Sequence, residues 1–296
     1  MKSYRLIILL AISAIIFPGC EKTVHFTIDE QAPKLVVEGT IETGKAPVFI
    51  LSNSLDYFSE ITPQLLDSSF VRNADIRISN GTLTHRLKEY AVSNQVATLY
   101  YYSVDSSDLA TAFVGEMGKT YSADILVEGK HYLANTTIPV LAKKVDSLWW
   151  KPSPNNPDTT KSVLMARVTD PPGFGNYIRY FTSTNGGSFF PGLNSVFDDQ
   201  IVDGTTYDIE VEKGVDRNAT IDFNEYSFFT RGDTVVLKFT NIDKVTFDFW
   251  RTMEYNYGSI GSPFSSPTKV LGNISNGALG YFGGYSAQYK SLVIPR

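Results

Sequence analysis

The chain of 296 residues contains little of the chemistry that cysteine and histidine provide. Its one cysteine, Cys20, has no second cysteine with which to form an intramolecular disulfide. The histidines are His25, His85 and His131, so the second half of the chain cannot supply the base of a Ser-His-Asp site. The motifs H-E-x-x-H, G-x-S-x-G and G-x-x-x-x-G-K-S/T are also absent from the sequence. These absences favour a protein that is not an enzyme, and we predict no catalytic, cofactor-binding or metal-binding residue.

No hydrophobic run in the sequence is long enough to cross a membrane. Residues 6–17 are apolar apart from Ser13, whereas a spanning helix needs about 20 apolar residues. Lys2 and Arg5 precede this run, and a Pro-Gly pair ends it. The arrangement is typical of a signal peptide, which we assign to residues 1–19.

The segment Phe17-Pro18-Gly19-Cys20, at the end of the apolar run, resembles a bacterial lipobox. In lipoproteins the cysteine thiol takes a diacylglycerol, the signal is cleaved before the cysteine, and the new amino terminus is acylated. Cys20 would then attach the protein to membrane lipid, with residues 20–23 as anchor and short tether. Such an anchor is stable because each buried methylene adds about 0.8 kcal/mol. The alternative is a free cysteine at the end of a signal peptide.

The mature chain has an excess of acidic residues. Without Lys2 and Arg5 it has 24 basic residues against 31 acidic ones, which gives a net charge of −7. Nucleic acid and anionic lipid surfaces are therefore not expected partners.

Short runs rich in Val, Ile, Thr, Tyr and Phe alternate with Gly, Asn, Asp and Pro, which predicts a mainly β protein. The clearest hairpin is predicted over residues 118–139, where apolar and polar residues alternate on both sides of a turn at 128–130. His131 shares a face with Glu128, so we expect it to face solvent.

A second hairpin is predicted around the Asn80-Gly81 pair, which favours a type I′ turn. Pairing outward from this turn places Ile76 opposite His85 and puts Ile78 on the same face. We therefore interpret His85 as a packed histidine or one at the edge of the core.

The sequence predicts two β-sandwich-like modules, the second with one packed α-helix. Residues 24–140 hold seven or eight candidate strands and are predicted to form an N-terminal β-sandwich of Ig-like or prealbumin-like type. Prolines and asparagines interrupt the strand pattern in residues 141–160, which we interpret as the junction. Residues 161–296 are predicted to form a C-terminal β-rich domain with a helix near 241–257.

The helix is predicted from hydrophobic spacing and a capping residue. Thr240 is the expected N-cap. The apolar stripe that should be buried consists of Ile242, Val245, Phe249 and Met253.

The acidic segment Asp198, Asp199, Asp203 and Gly204 could coordinate Ca²⁺ through carboxylate oxygens. It lacks the alternating acidic spacing of an EF-hand loop. A turn between two strands explains the segment as well, and we prefer that interpretation.

Two segments, 185–192 and 277–289, combine glycines with aromatic residues. They could form a stacking platform for a sugar or a contact surface for a partner protein. Most of these aromatic residues are expected to fill the core of a β-rich domain.

Several separated blocks of the sequence resemble the Bacteroidota lipoprotein family called domain of unknown function 4249. The blocks include CEKTVHFTID, PKLVVEGTIETGKAPVFILSNSLDYF, GKTYSADILVEGKHYLANTTIP, TDPPGFGNYIRYF, DDQIVDGTTYDIEV and SPFSSPTKVLGNISNGALGYFGGYSA. The similarity runs from Cys20 to the C-terminus. It implies an outer-membrane lipoprotein, often encoded beside a TonB-dependent transporter, and implies no established reaction.

Two classes of function follow. In the first, the protein is a non-catalytic accessory to a TonB-dependent transporter and helps to capture or deliver a ligand whose identity is unknown. In the second, it is a stand-alone glycan-binding protein or hydrolase at the cell surface. A concave pocket with two close carboxylates, or a row of exposed aromatic rings, would favour the second class.

Overall fold

The fold is a β structure, as the sequence predicts. The computed structural model describes residues 32–55, 60–93, 98–154, 156–259, 266 and 268–296. Fifteen strands and two helices lie in this part of the chain. Neither helix combines the length and the apolar character that crossing a membrane requires. Residues 24–31, the first of the predicted N-terminal β-sandwich, lie outside the described residues.

The strands alternate with short turns over most of the chain. Their bounds are β1 (Leu35–Glu42), β2 (Val48–Asn53), β3 (Asp75–Ser79), β4 (Thr84–Ser93), β5 (Thr98–Val104), β6 (Thr120–Val127), β7 (Lys130–Thr137), β8 (Lys144–Pro152), β9 (Lys161–Thr169), β10 (Tyr177–Thr184), β11 (Phe190–Phe197), β12 (Thr206–Val211), β13 (Phe229–Thr230), β14 (Thr234–Ile242) and β15 (Leu279–Val293). The helices are α1 (Pro63–Ser69) and α2 (Lys244–Ser259).

Eleven strands form one large sheet in the order β11-β10-β14-β15-β1-β2-β5-β4-β3-β6-β7. The small sheet consists of β12, β9 and β13, with β8 also paired to β9. Within the large sheet β1 and β15 are parallel neighbours, whereas the other pairs are antiparallel. The parallel pair joins an early strand to a late one at the middle of the sheet.

The hydrophobic side chains form separate clusters along the sheets. The first cluster takes its residues from β1 to β7 and adds Ile138 and Phe282. The second lies where β9 of the small sheet packs on β10 and β14 of the large sheet. A third cluster lies under α2 and includes Phe249 and Tyr281.

Residues Pro33–Arg296 form one compact unit, and strands from both sides of the predicted junction share the large sheet. The junction segment 141–160 contains β8, which pairs with β9 along its length. The division into domains at 141–160 stays a prediction.

The hairpin predicted around residues 128–130 is confirmed. Val127 pairs with Lys130, so the turn consists of Glu128 and Gly129. Both turn residues have positive φ, 48° and 77°, which a type I′ turn requires. His131 is exposed, and its Nδ1 lies 2.8 Å from Asp124 Oδ1.

The register predicted for the second hairpin is wrong, because its loop is longer than two residues. His85 pairs with Ile78 instead of Ile76. Asn80 Oδ1 accepts hydrogen bonds from the backbone N–H groups of Thr82 and Leu83, at 3.0 and 2.8 Å, and thereby stabilises the longer loop. The face assignment of His85 is correct, since only 1% of this residue is exposed.

The predicted helix is present as α2, but its N-cap is Asp243 and not Thr240. Asp243 Oδ1 accepts the backbone N–H of Thr246 at 3.0 Å, the capping bond three residues into the helix. Thr240 belongs to β14, and its hydroxyl donates to the carbonyl of Arg179 at 2.6 Å.

The later start of α2 also changes its buried face. Phe249 is buried and Met253 packs against the third cluster, as predicted. Ile242 is buried as a residue of β14, whereas Val245 is 40% exposed. Phe247 takes the buried position on the first turn instead.

Candidate functional site

A cavity of about 490 Å³ opens on the face of the large sheet where β10, β14, β15 and β1 lie side by side. Helix α2 and residues 215–218, in the connection between β12 and β13, complete its wall. We call it the charged cavity. Its charged and aromatic lining residues are Glu38, Glu42, Lys45, Arg179, Phe181, Phe190, Asp216, Arg217, Lys238, Trp250, Tyr257, Tyr281 and Tyr285. The volume lies in the range of small-molecule sites, about 300 to 1,000 Å³.

The alternation of β1 explains why carboxylates face this cavity. Val37 and Ile41 are fully buried in the first cluster. The residues between and beyond them, Glu38, Thr40 and Glu42, therefore point to the opposite face and line the cavity. The sequence of β1 thus supplies a core face and a polar face.

Arg179 of β10 lies among aromatic rings at the inner wall. Its guanidinium carbon is 3.3 Å from the ring centroid of Trp250 and 4.8 Å from that of Phe181. Arg179 Nε donates to Ser195 Oγ at 3.2 Å, and Ser195 Oγ donates to Glu254. The arginine is 4% exposed, so packing and hydrogen bonding fix its orientation.

A chain of hydroxyl contacts orders the aromatic wall. Trp250 Nε1 donates to Tyr285 Oη at 3.2 Å, and Tyr285 Oη donates to Tyr281 Oη at 3.3 Å. The parallel register of β1 and β15 places Tyr281 beside Glu38 and Tyr285 beside Glu42. The aromatic rings of the wall are therefore held in position by hydrogen bonds between their polar groups.

Glu42 is the centre of a charged network at the cavity rim. Lys238 Nζ donates to Glu42 Oε2 at 2.5 Å, and Tyr289 Oη donates to Glu42 Oε1 at 2.7 Å. Lys45 Nζ lies 2.8 Å from Glu42 Oε1. Burial acts to raise the pKa of Glu42, but the hydrogen bonds from Lys238 and Lys45 outweigh it and the pKa is lowered. Glu42 is therefore an ionised, fully engaged carboxylate.

Glu38 differs from Glu42 because no cation pairs with it at close range in the described part of the chain. Glu38 is exposed to solvent through the cavity. The protein that surrounds its carboxyl nevertheless desolvates it in part and raises its pKa above the ordinary value, and the charge of Arg179 opposes this only in part. A titratable group with a raised pKa that faces a concave pocket is a typical functional-site residue.

Arg217 closes the other side of the charged cavity. Its Nη2 donates to the carbonyls of Gly192 and Leu193 at 3.2 and 2.9 Å, and lies 3.7 Å from Glu254 Oε1. The guanidinium also lies over the ring of Tyr257, at 4.8 Å from its centroid. These contacts fasten the loop at 215–218 to the rest of the wall.

The two aromatic segments predicted as platform or contact surface meet at this rim. Phe189 and Tyr289, both partly exposed, form an edge-to-face pair with ring centroids 5.9 Å apart. Tyr281 and Tyr285 are buried, and Phe282 belongs to the first core cluster. Most of the rings in segment 277–289 therefore pack inside the protein, as expected.

A second cavity of about 520 Å³ lies on the other face of β10. Apolar side chains form most of its surface, including Ile178, Val196, Phe197, Ile201, Ile209 and Phe239. The charged cavity has many more convergent polar groups, so we consider it the candidate ligand site.

The acidic segment that we interpreted as a turn divides into two parts. Asp199 and Asp203 come together with Asp170, such that one carboxylate oxygen from each lies within 4.8 Å of the others. Asp198 is separate from this group and lies 3.4 Å from Arg251 Nη1. Gly204 has a φ of 67°, which suits its position in a turn.

The remaining candidate residues lie apart from both cavities or outside the described residues. Cys20 and His25 fall outside the described residues. His85 is a packed histidine: its Nε2 accepts the backbone N–H of Asp105 at 3.1 Å, and its Nδ1 lies 2.9 Å from Thr111 Oγ1.

Sequence reasoning missed Glu38, Arg179 and Trp250 as site residues, and it missed Asp170. The one signal in the sequence is the run LVVEGTIE, where two glutamates share a face of an otherwise apolar strand. Arg179 and Trp250 have no comparable local signal.

The fold and the cavity define a mainly β protein with a ligand-sized, charged and aromatic site. The sequence matches the family described as Domain of unknown function (DUF4249) over residues 21–291. The chain therefore belongs to the DUF4249 family. Comparison with curated proteins gives no match.

Proposed function

We propose that this DUF4249 protein is a lipid-anchored outer-membrane protein that captures a small polar ligand in the charged cavity. In this proposal it is a non-catalytic accessory to a TonB-dependent transporter. The observation that carries the binding proposal is that the accessible carboxyl of Glu38 and the fixed, aromatic-flanked guanidinium of Arg179 line the same cavity.

The groups around the cavity suit recognition of a ligand with polar substituents and an apolar face. Trp250 and Tyr257 offer rings, while Lys238 and Arg217 offer hydrogen-bond donors. Most of the charged groups are already held by protein partners, so little side-chain entropy is lost on binding. A sugar or a short peptide has the required combination of groups.

The hydrolase of the alternative class is favoured by the opposite pKa shifts of Glu38 and Glu42, because an acid and base pair needs carboxyls of different pKa. Two observations support binding instead. Glu42 is engaged with Lys238, Lys45 and Tyr289. The Cα atoms of residues four apart on one strand are also about 13 Å apart, whereas glycosidase carboxyl groups are roughly 5 to 9.5 Å apart, so both side chains would have to lean toward each other to form such a pair.

The location and the partner rest on the sequence. The apolar run before Cys20 and the lipobox-like segment support a lipid anchor. Confinement to one membrane raises the effective concentration of the lipid-anchored protein and the transporter relative to each other, so that a modest interface is enough for binding. The exposed pair Phe189 and Tyr289, on the two segments 185–192 and 277–289, is the proposed contact.

Ligand binding is tested with the purified protein and a panel of monosaccharides, disaccharides and short peptides, by thermal shift and then calorimetry. We expect a member of the panel to bind wild type, and Glu38→Gln to weaken its affinity at least tenfold. Glu116→Gln, an exposed glutamate away from the cavity, is the matched control and should bind normally. Equal binding by wild type and Glu38→Gln would contradict the site assignment, and release of hydrolysis products would favour the alternative.

Anchoring and partnership are tested in the native membrane. Wild type should partition with membranes and carry an acylated amino terminus at Cys20, whereas Cys20→Ala should not. A tagged wild-type protein should also co-purify or crosslink with a TonB-dependent transporter after gentle solubilisation. An unmodified Cys20 in the wild-type protein would contradict the anchor, and absence of the transporter from the purified material would contradict the accessory role.

A further inference from the structure

A buried group of charges lies apart from the charged cavity. It consists of Asp170 at the end of β9, Asp199 and Asp203 in the turn after β11, and Lys143 before β8. One oxygen from each carboxylate lies within 4.8 Å of the others. Two oxygens bound to one Ca²⁺ at 2.3 to 2.6 Å can be at most about 5 Å apart, so the spacing of the three aspartates permits a shared ion.

The carboxylate of Asp170 gives an observation independent of the clustering. Its side chain is completely buried, and neither of its oxygens has a hydrogen-bond partner among the described residues. Buried carboxylates without partners are costly, and native structures satisfy such groups with hydrogen bonds, ions or water. Asp170 is thus a desolvated ligand group that is directed at Asp199 and Asp203.

Lys143 compensates only one of the negative charges. Its Nζ lies 3.4 Å from Asp170 Oδ1 but makes no hydrogen bond within the described part of the chain. The backbone of Lys143 is held by Asn241, which accepts from its N–H and donates to its carbonyl, each at 2.9 Å. The formal charges of three aspartates and one lysine sum to −2, which one divalent cation neutralises.

Backbone donors hold two of the aspartates without using all their oxygens. Asp199 Oδ2 accepts the N–H groups of Gly175 and Asn176 at 2.8 Å, and Asp203 Oδ1 accepts that of Gly173 at 2.7 Å. The other oxygen of each carboxylate accepts no hydrogen bond from the described residues, so it is available to a metal ion.

The geometry points to a Ca²⁺ site formed by Asp170, Asp199 and Asp203, with Lys143 as the fourth charge of the group. Hard carboxylate oxygens suit Ca²⁺, whose flexible coordination accepts an irregular set of ligands. Mg²⁺ demands near-ideal octahedral geometry and keeps several waters, which a largely buried site does not accommodate. The ion would join the end of β9 and the loop after it to the turn that follows β11.

The test uses purified full-length protein in detergent solution, freed of metal with EDTA and then titrated with CaCl₂ in a calorimeter. We expect one Ca²⁺ per chain, and a rise of about 5 °C in the unfolding temperature at saturating Ca²⁺. Asp203→Asn keeps an oxygen for the N–H of Gly173 but loses the charge. It should therefore weaken Ca²⁺ affinity at least tenfold without preventing folding.

Asp198→Asn is the matched control, because Asp198 lies in the same turn but outside the carboxylate group. Its Ca²⁺ affinity should equal that of wild type. The proposal is overturned if wild type gives no binding heat at millimolar Ca²⁺, or if Asp198→Asn weakens binding as much as Asp203→Asn. Mg²⁺ binding as tight as Ca²⁺ binding would overturn the assignment of the ion.

Discussion

Glu38 and Glu42 lie on the same face of β1, yet the pKa of Glu38 is raised and the pKa of Glu42 is lowered. Desolvation by the surrounding protein acts on the pKa of both carboxyls in the same direction. The difference is that Lys238 and Lys45 bond to Glu42, whereas Glu38 is influenced by the more distant charge of Arg179. One strand thus presents an anchored anion and a protonatable carboxyl to the same cavity.

The two glutamates should have opposite effects on stability as the pH changes. The stabilisation from Glu42 is present above its ordinary pKa of 4.5 and is lost as the pH falls through its lowered folded-state pKa. The folded protein favours the protonated carboxyl of Glu38. The stability that this form contributes is lost as the pH rises through the raised folded-state pKa. Glu42→Gln should cost about 3 kcal/mol at pH 7, because Lys238 loses its partner.

Glu38→Gln should instead gain stability relative to wild type as the pH rises from 4 to 8. Urea unfolding of both variants and wild type across this range measures the effect. A Glu38→Gln curve parallel to that of wild type would show that Glu38 has no raised pKa.

Phe249 and Val245 are both predicted to lie on the buried face of α2, but only Phe249 is buried in the structure. Phe249 stacks on Tyr281 with ring centroids 4.4 Å apart, so Phe249→Ala should destabilise the protein by about 3 to 5 kcal/mol. Val245 is partly exposed, and Val245→Ala should change the stability by about 0.5 kcal/mol or less. Denaturant midpoints compare the two variants, and similar losses would contradict the observed register of the helix.

Asp243 caps α2 and also ties it to β7. One carboxylate oxygen accepts from the hydroxyl of Thr136 and the N–H of Thr137, both at 2.9 Å, while the other accepts from Thr246. Asp243→Ala should therefore cost about 2 to 3 kcal/mol, more than an ordinary capping loss. Asp248→Ala removes an acidic residue from the same helix whose one ion pair among the described residues is with Lys244 near the surface, and it should cost about 0.5 kcal/mol or less. Thermal unfolding that gives the same loss for both would exclude the capping role.

The sequence predicts those parts of the fold that depend on near neighbours. Strand alternation identifies β6 and β7, and Glu128-Gly129 determines their turn. The Asn80 loop shows the limit, because its register depends on side-chain hydrogen bonds to Thr82 and Leu83 that the Asn-Gly pair does not reveal. The cap of α2 likewise depends on where β14 ends.

The site is less predictable than the fold because its residues come from distant segments. Glu38 and Tyr281 become neighbours only through the parallel pairing of β1 and β15, for which no local pattern exists. Asp170 joins Asp199 and Asp203 for the same reason, as β9 and the turn after β11 meet in space. The acidic turn itself was visible in the sequence, but its third carboxylate was not.

The pairing of β1 with β15 makes the charged cavity depend on two strands that are far apart in the sequence. Glu38 acquires its neighbour only when a strand more than 240 positions further along the chain has been added to the sheet. Contacts of such sequence separation form slowly, since a long loop must close before they contribute. A stalled or shortened chain therefore has no partly competent cavity, and occupation of the cavity by a ligand would report that the last strand is in place.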